Sequence, residues 1–405
     1  MRILYYDWAE FNGEDARDAM KRLGWRVDVL RARQLGGDMD PNACDSLREM
    51  MKRADDGAEA YDAVFSFDFF PEVSEVCREM GVVYSSWVFD CPHYPLYSEK
   101  LGNAVNRVHI FDRALYEELK GKGYGATVLH TPLAVNTDRL KEAGLQNHRL
   151  MGRMLNGEDA QDGYIHDVSF VGNLYDNEFN FYDQAGFPDG IRGYLGDVFD
   201  AQQRIFGADI LGDERVIPDD LMSQLHDYID FENTGKFRID YDKVILDILR
   251  KKVTILERRS ILEELGRRFD TAIYTTPDAK DIPGVRNMGF ADYMSTMPHV
   301  FHRSRININI TMRCITSGIP LRVLDVMGAG GFLLTSCNPE IEEHFTDGTD
   351  LSIARTPEEM IEKTTYYLEH EDERKEIAIN GQKKVFEQFS YAKLLPRVLG
   401  NGTIM

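Results

Sequence analysis

The stretch Arg313-Cys-Ile-Thr-Ser-Gly-Ile-Pro-Leu-Arg-Val-Leu-Asp-Val-Met-Gly-Ala-Gly-Gly-Phe-Leu-Leu-Thr335 reads as loop, short helix, glycine turn and buried strand. Thr316, Ser317 and Gly318 are turn and cap residues, and Ile319 leads into Pro320. Proline suits the first turn of a helix, where its missing N–H is not needed. Leu321, Val323 and Leu324 supply an apolar face, while Arg322 and Asp325, three apart, share another. Gly328-Ala-Gly-Gly331 ends the helix, because glycine tolerates a left-handed cap. Phe332–Thr335 is short and apolar, as a buried strand is. The helix start therefore offers N–H groups and a dipole that favour an anion such as a diphosphate. Arg322 adds a charge-assisted contact, and Asp325, one turn inward, is placed to accept hydrogen bonds from ribose hydroxyls. The same residues also suit a buried αβ unit whose Asp complements the helix dipole.

Outward from this stretch the chain has 405 residues, long for one domain, with 43% apolar and 28% charged residues. The 47 basic and 68 acidic side chains give a net charge of −21. Such a charge repels nucleic acid and anionic membrane surfaces, so neither is an expected partner. The five cysteines, Cys44, Cys77, Cys91, Cys314 and Cys337, include no CxxC pair. Reduced thiols are expected rather than a disulfide framework or a zinc site. MRILYYDW enters a strand pattern directly, and no apolar run has the length of a membrane span, so a cytoplasmic protein is expected.

Residues 1 to about 135 alternate strand and helix patterns, starting with a strand at Arg2–Tyr6 and a helix at Glu14–Leu23 closed by Gly24. Repeated βαβ units imply a parallel sheet covered on both faces. Residues 136–165 form a polar connector with turn signals at Asn156-Gly157 and Asp162-Gly163. A second series opens with a strand at His166–Val171. Strand patterns recur at Thr271–Tyr274, Val285–Met288, Ile306–Ile310, Phe332–Thr335 and Leu351–Ile353. Between them, residues 176–268 are polar and mostly helical. Thr356 followed by Glu359 marks a capped helix at Pro357–His370. The expected organisation is an α/β domain over 1–150, a second over 151–385 with its helical insertion at about 176–268, and a segment 386–405 returning to the first. Ligands are expected at the carboxyl edges of the two sheets, in a cleft between the halves.

Ser304-Arg-Ile-Asn-Ile-Asn-Ile-Thr311, Ser317-Gly-Ile-Pro-Leu-Arg322, Asp325 and Gly330-Gly-Phe-Leu-Leu-Thr335 together resemble bacterial glycosyltransferases of the spore-maturation CgeB type. Asp7-Trp8, Phe11, Trp87…Asp90…Pro92 and Pro132-Leu-Ala-Val-Asn136 are similar to the usual partner domain. The resemblance implies a GT-B fold, two Rossmann-like domains with parallel sheets facing a cleft. It implies transfer of a sugar from a nucleotide-sugar, UDP the expected nucleotide, to a glycan, protein or small-molecule acceptor. Retaining relatives carry two glutamates eight positions apart around this helix. Here Ser317 and Asp325 hold those places, so the ribose role passes to Asp325 and the anomeric outcome stays open between retention and inversion.

Under this resemblance the donor residues are Ser317, Gly318, Ile319, Leu321, Arg322 and Asp325. Gly172 and Asn173, after the first strand of the second half, permit close approach of a phosphate or sugar, or form an ordinary turn. Arg286, Arg313 and Arg322 are the candidate diphosphate cations, each also readable as solvated charge. Asn287, Met288, Gly289 and Tyr293 lie on the loop that covers the base in similar proteins, although a lone tyrosine also fills core space. Phe11, Asn12 and Gly13 form the matching loop of the first half, or simply a helix entry. Asp90 and His93 are the candidate catalytic pair, as a base for the acceptor hydroxyl or as charge stabilisers. Asn307 and Asn309 face one side of a strand, where capping of neighbouring turns is the simpler role. Asp38-Met-Asp40 and Asp240-Tyr-Asp242 have the DxD spacing of metal-dependent transferases but lie in acidic polar stretches, so metal-independent chemistry without a cofactor is expected. A nucleotide-sugar epimerase and a non-catalytic sugar-nucleotide binder or coat protein are the rival readings.

Overall fold

The computed structural model describes residues 1–32, 41–55, 60–145, 163–177, 180–229 and 240–400. Asp38-Met-Asp40, the Asn156-Gly157 turn signal, Asp162 and the tail 401–405 lie outside the described residues. The chain divides into two compact units. The first is built from residues 1–139 and the last helix, Tyr391–Leu399; the second spans 140–232 and 240–387.

The first unit holds six strands: β1 Arg2–Asp7, β2 Arg26–Arg31, β3 Ala63–Phe67, β4 Val83–Val88, β5 Asn106–Ile110 and β6 Val128–His130. All pair in parallel, in the order β2-β1-β3-β4-β5-β6. β1 and β3 are buried along their whole length, as their near-continuous apolar sequences require, while the edge strand β2 keeps its arginines outward. The crossover helix Pro71–Met80 starts on a proline and stops at Gly81, whose φ of 67° provides the left-handed cap. The last helix seals one face of this sheet. Tyr391 packs edge-on to Trp87 with centroids 5.8 Å apart, and Ser85 donates its hydroxyl to the Val398 carbonyl at 2.6 Å.

The second unit holds β7 His166–Val171, β8 Thr271–Tyr274, β9 Val285–Asn287, β10 Ser304–Asn309, β11 Leu333–Ser336 and β12 Ser352–Ala354. These are also all parallel, in the order β9-β8-β7-β10-β11-β12, the doubly wound order of nucleotide-binding folds. The insertion is helical, with helices Phe181–Gln184, Asp189–Gln203, Asp219–His226 and the 28-residue Tyr241–Arg268. The helix before the glycine turn runs Leu321–Gly328, so Pro320 caps it from outside rather than opening its first turn. Gly330 takes the left-handed conformation, φ 76°. Gly331 is needed for closeness instead: a Cβ there would lie 2.5 Å from the Phe301 carbonyl and 2.7 Å from the Asn307 amide. Thr356 caps Pro357–Glu369 by accepting the Glu359 N–H at 3.1 Å. Two Rossmann-like units in one chain are the architecture expected of GT-B. Among the described residues no helix is long and apolar enough to cross a membrane.

Candidate functional site

In the second unit the winding direction reverses between β7 and β10, and open α/β sheets bind ligands at such a point, beyond the strand ends. The loops that leave these two strands are held together by Arg258, a side chain of the long insertion helix that sequence reading passed over. Its guanidinium donates to the Ile310 carbonyl at 3.2 and 2.8 Å and to the Asn173 carbonyl. These bonds go to main-chain oxygens rather than to a carboxylate. Burial pushes the group's pKa down and the charge of Arg322 adds to that, against the opposing pull of Tyr175 and of the Glu257 carboxylate. Asn173 serves the turn: its side-chain oxygen accepts the Tyr175 N–H at 2.7 Å, and Gly172 donates its N–H to the Tyr274 carbonyl.

The 321–328 helix faces the same chemistry. Arg322 donates to Asp325 at 3.1 Å and its guanidinium lies over the Phe301 ring. The Tyr293 hydroxyl reaches the other oxygen of Asp325 at 3.4 Å, so Tyr293 both packs in the core and ties the 287–293 loop to the helix. In that loop the Asn287 side chain accepts the Gly289 N–H at 2.9 Å, and Gly289 sits at φ 75°. Met288 is 46% exposed and the neighbouring Phe290 is 73% exposed, an apolar pair open to a flat partner. Phe290 was not among the sequence candidates; its signal was a large aromatic next to a glycine in a polar loop. Gly318 and Ile319 are buried, and Leu321 is half-buried at the helix start. Ser317 donates to the buried carboxylate of Glu340 at 2.8 Å, and Glu340 returns its N–H to the Ser317 carbonyl at 3.0 Å. A carboxylate thus stands beside position 317 although the sequence carries serine there.

Two of the three candidate phosphate cations are engaged elsewhere. Arg313 pairs with the buried Glu257 and donates to the carbonyls of Ala208, Gln202 and Ile205, which anchors the insertion to the strand-β10 loop. Arg286 pairs with Asp270 at 2.6 Å and reaches His166 at 3.1 Å, on the flank of the sheet. Arg322 and Arg258 lie nearer the edge, Arg322 paired with Asp325 and Arg258 bonded to the Asn173 and Ile310 carbonyls. Asn307 and Asn309 are buried among Ser169, Thr311, Thr335 and backbone carbonyls, a structural role. Asp240 caps the long helix and Asp242 pairs with His226, so this DxD pair serves helix packing. A half-open pocket lies beside Thr311, Ser336 and Asn338.

In the first unit the winding reverses between β1 and β3. Three loops leave that edge. After β1, Trp8 donates its indole N–H to the Phe67 carbonyl at 3.0 Å and its main-chain N–H to Glu10 at 3.0 Å. Glu10 also receives the Tyr5 hydroxyl. A Cβ at Gly13 would lie 2.2 Å from the Glu10 carboxylate, so a larger residue there would displace that side chain. Asn12 occupies the cap position of helix Gly13–Arg22 but makes no side-chain cap bond, and its buried oxygen has no partner among the described residues. Phe11 is 48% exposed and stands edge-on to Phe89, which stacks on Trp8 with an interplanar angle of 9°.

After β3 and β4 come Asp68 and Asp90. Asp68 is 1% exposed and holds a left-handed backbone, φ 53°. Its Oδ1 accepts the N–H groups of Phe89 at 3.0 Å and Asp90 at 3.2 Å. Both carboxyls are pushed up to about 7, by loss of hydration first and then, for Asp90, by the charge of Asp68. His93 bonds the Phe69 main chain through Nε2, at 3.1 Å from its N–H and 2.9 Å from its carbonyl. Burial lowers its pKa, so it stays neutral at pH 7. The facing atoms of Asp68, Asp90 and His93 lie within 4.8 Å of one another, and the Asp68 and Asp90 carboxyls interact side chain to side chain.

Residues 254–400 match a protein family described as glycosyl transferase-like. A comparison with curated protein sequences found no match. Among solved structures the chain is similar to a glycosyltransferase from Rickettsia africae, with a TM-score of 0.48, 12% identity and 99% of each chain covered. It is similar to sucrose-phosphate synthase from Thermosynechococcus elongatus, with a TM-score of 0.49, 11% identity and 98% of each chain covered. It is also similar to Anabaena HepE in complex with UDP-glucose, with a TM-score of 0.48, 10% identity and 98% of each chain covered.

Proposed function

We propose that this protein, a glycosyltransferase of GT-B architecture, moves a sugar from a nucleotide-sugar, with UDP as the nucleotide, to a hydroxyl of a carbohydrate acceptor. The observation that carries the reading is Arg258 bridging the β7 and β10 loops at the switch point of the second unit, close enough to Arg322 to feel its charge, with Arg322 in turn bonded to Asp325. Two cations near a helix start match a diphosphate, whose leaving charge they stabilise without a metal. Asp325, held by Tyr293 and Arg322, is oriented for the ribose hydroxyls. Met288 and Phe290 offer the base an apolar surface.

The first unit takes the acceptor. Trp8, Phe11 and Phe89 form an aromatic rim suited to the C–H face of a sugar ring, and Asp90 and His93 stand on the same sheet edge. In the transfer the acceptor oxygen bonds to the anomeric carbon, and the acceptor proton passes to Asp90. The bond to the diphosphate breaks with its electron pair leaving on the nucleotide. A CgeB-type subfamily and a bacterial, cytoplasmic setting belong to the same proposal.

The test is a thermal-shift panel of nucleotides followed by turnover assays with nucleotide-sugars and oligosaccharides. UDP and a UDP-sugar should raise the melting temperature, since a ligand selective for the folded form stabilises it. Sugar transfer should follow. Conversion of the donor to an epimer without acceptor would favour an epimerase, and binding without turnover across the panel would favour a non-catalytic binder.

A further inference from the structure

Asp68 stands behind Asp90 on the first sheet's edge, and its two oxygens live in different surroundings. Oδ1 is saturated by two main-chain N–H groups. Oδ2 is buried and receives no N–H or O–H from the described residues, yet its carboxyl faces that of Asp90 and the ring of His93. Glu10, on the loop after β1, adds further negative charge to Asp68, and His93 is the group facing Asp90 from the segment beyond β4. A bare oxygen of a buried carboxylate beside a second carboxylate is strongly disfavoured. One proton placed between them removes the like-charge contact and satisfies that oxygen. The main-chain N–H groups favour the negative charge on Asp68, so the proton belongs to Asp90.

We propose that in the resting protein Asp90 donates a hydrogen bond from its protonated carboxyl to Oδ2 of an ionised Asp68, which acts as a positioning residue that strengthens Asp90 as the acceptor base. The raised position of both groups agrees with this arrangement. A base is most useful when its proton affinity is matched to the working pH. An ordinary aspartate is too weak, and the fixed charge of Asp68 brings Asp90 into range. Above neutral pH the pair gives up its proton, and Asp90 is free to take one from the acceptor hydroxyl. This catalytic part rests on the transfer reading above; the shared proton does not.

The experiment is infrared spectroscopy of the unliganded full chain in the presence of EDTA. A protonated-carboxyl band should persist at pH 6, where ordinary aspartates are ionised, and should vanish above pH 8. It should be missing in Asp90→Asn and should move to lower pH in Asp68→Asn. The amide oxygen introduced by Asp68→Asn can still accept the two main-chain N–H groups, and asparagine keeps the size of aspartate at position 90, so both variants are expected to fold. In turnover, Asp68→Asn should shift the acid limb of kcat/KM down by about one pH unit and lower kcat about tenfold or more, with the donor KM unchanged. Absence of the band in the parent protein, or a band unmoved in Asp68→Asn, overturns the pair. Stabilisation of the parent protein, but not of Asp68→Asn, by Mn²⁺ or Mg²⁺ overturns it in favour of a cation site. Because the band is read without substrate, it stands or falls separately from the transferase assignment.

Discussion

At the reversal point of the first sheet the side chains beyond β1, β3 and β4 are Glu10, Asp68 and Asp90, rimmed by Trp8, Phe11 and Phe89. At the reversal point of the second they are Arg258 and Arg322, with Asp325 already bonded to Arg322. Both sheets are parallel and doubly wound, and both make their edges from the ends of central strands. The backbone thus provides the same kind of crevice twice, and the side chains give one a cluster of carboxyls and the other guanidinium groups balanced by Asp325 and Glu340. An acidic edge disfavours a diphosphate and can take hydrogen bonds from hydroxyls, whereas an edge with guanidinium groups favours a diphosphate. On the reading proposed above, this difference in charge would help to separate the acceptor side from the donor side.

The largest effect that tests this division is on chemistry. Asp90→Asn should lower kcat by about 10²–10⁴-fold while UDP affinity, measured by calorimetry, stays within a factor of about two. A comparable loss of UDP affinity would mean that the acidic edge also serves the donor. Next comes Arg258→Met. Losing a charged donor at the other edge should weaken UDP by about 10–100-fold and leave uridine nearly unaffected. Equal losses for both ligands would assign Arg258 to the fold rather than to phosphate. Asp325→Ala should weaken UDP and uridine alike, by about tenfold, because the ribose is common to both. The smallest effect is on stability. The Asp68–Asp90 pair keeps a proton up to about 7 in the folded chain, where unfolded aspartates lose theirs at about 4, so the folded state binds the extra proton in that window. Stability should therefore fall as pH rises from about 5 to about 7.5 more steeply in the parent protein than in Asp68→Asn, which melting curves at matched ionic strength will show.

Much of this arrangement is legible in the sequence for a local reason. Strands such as Ala63–Phe67 and Thr271–Tyr274 are short apolar runs, and glycines or capping residues mark the helices between them. Asp325 was also readable, because its relation to Arg322 is a matter of helical spacing. What escaped depends on distant segments. Arg258 lies among other charged residues in the middle of a 28-residue helix, and only the approach of the β7 and β10 loops makes it special. Asp68, in Ser-Phe-Asp-Phe-Phe, looks like a strand end until its left-handed backbone and the Phe89–Asp90 amides are seen. Glu340 meets Ser317 across 23 positions. Arg313 and Arg286 show the converse: an arginine near a strand end has the same local signature whether a ligand or a neighbouring carboxylate claims it.

The helix Tyr391–Leu399 completes the unit that begins at Met1. A ribosome making this chain has produced all six strands of the first sheet long before the residues that cover Trp87 and Ser85 exist. During that interval the nascent first half exposes an apolar face, a target for chaperones, and matures only after the second half has been synthesised. Expression of residues 1–139 alone should accordingly yield insoluble material, and adding the 388–400 segment as a separate peptide should recover part of it.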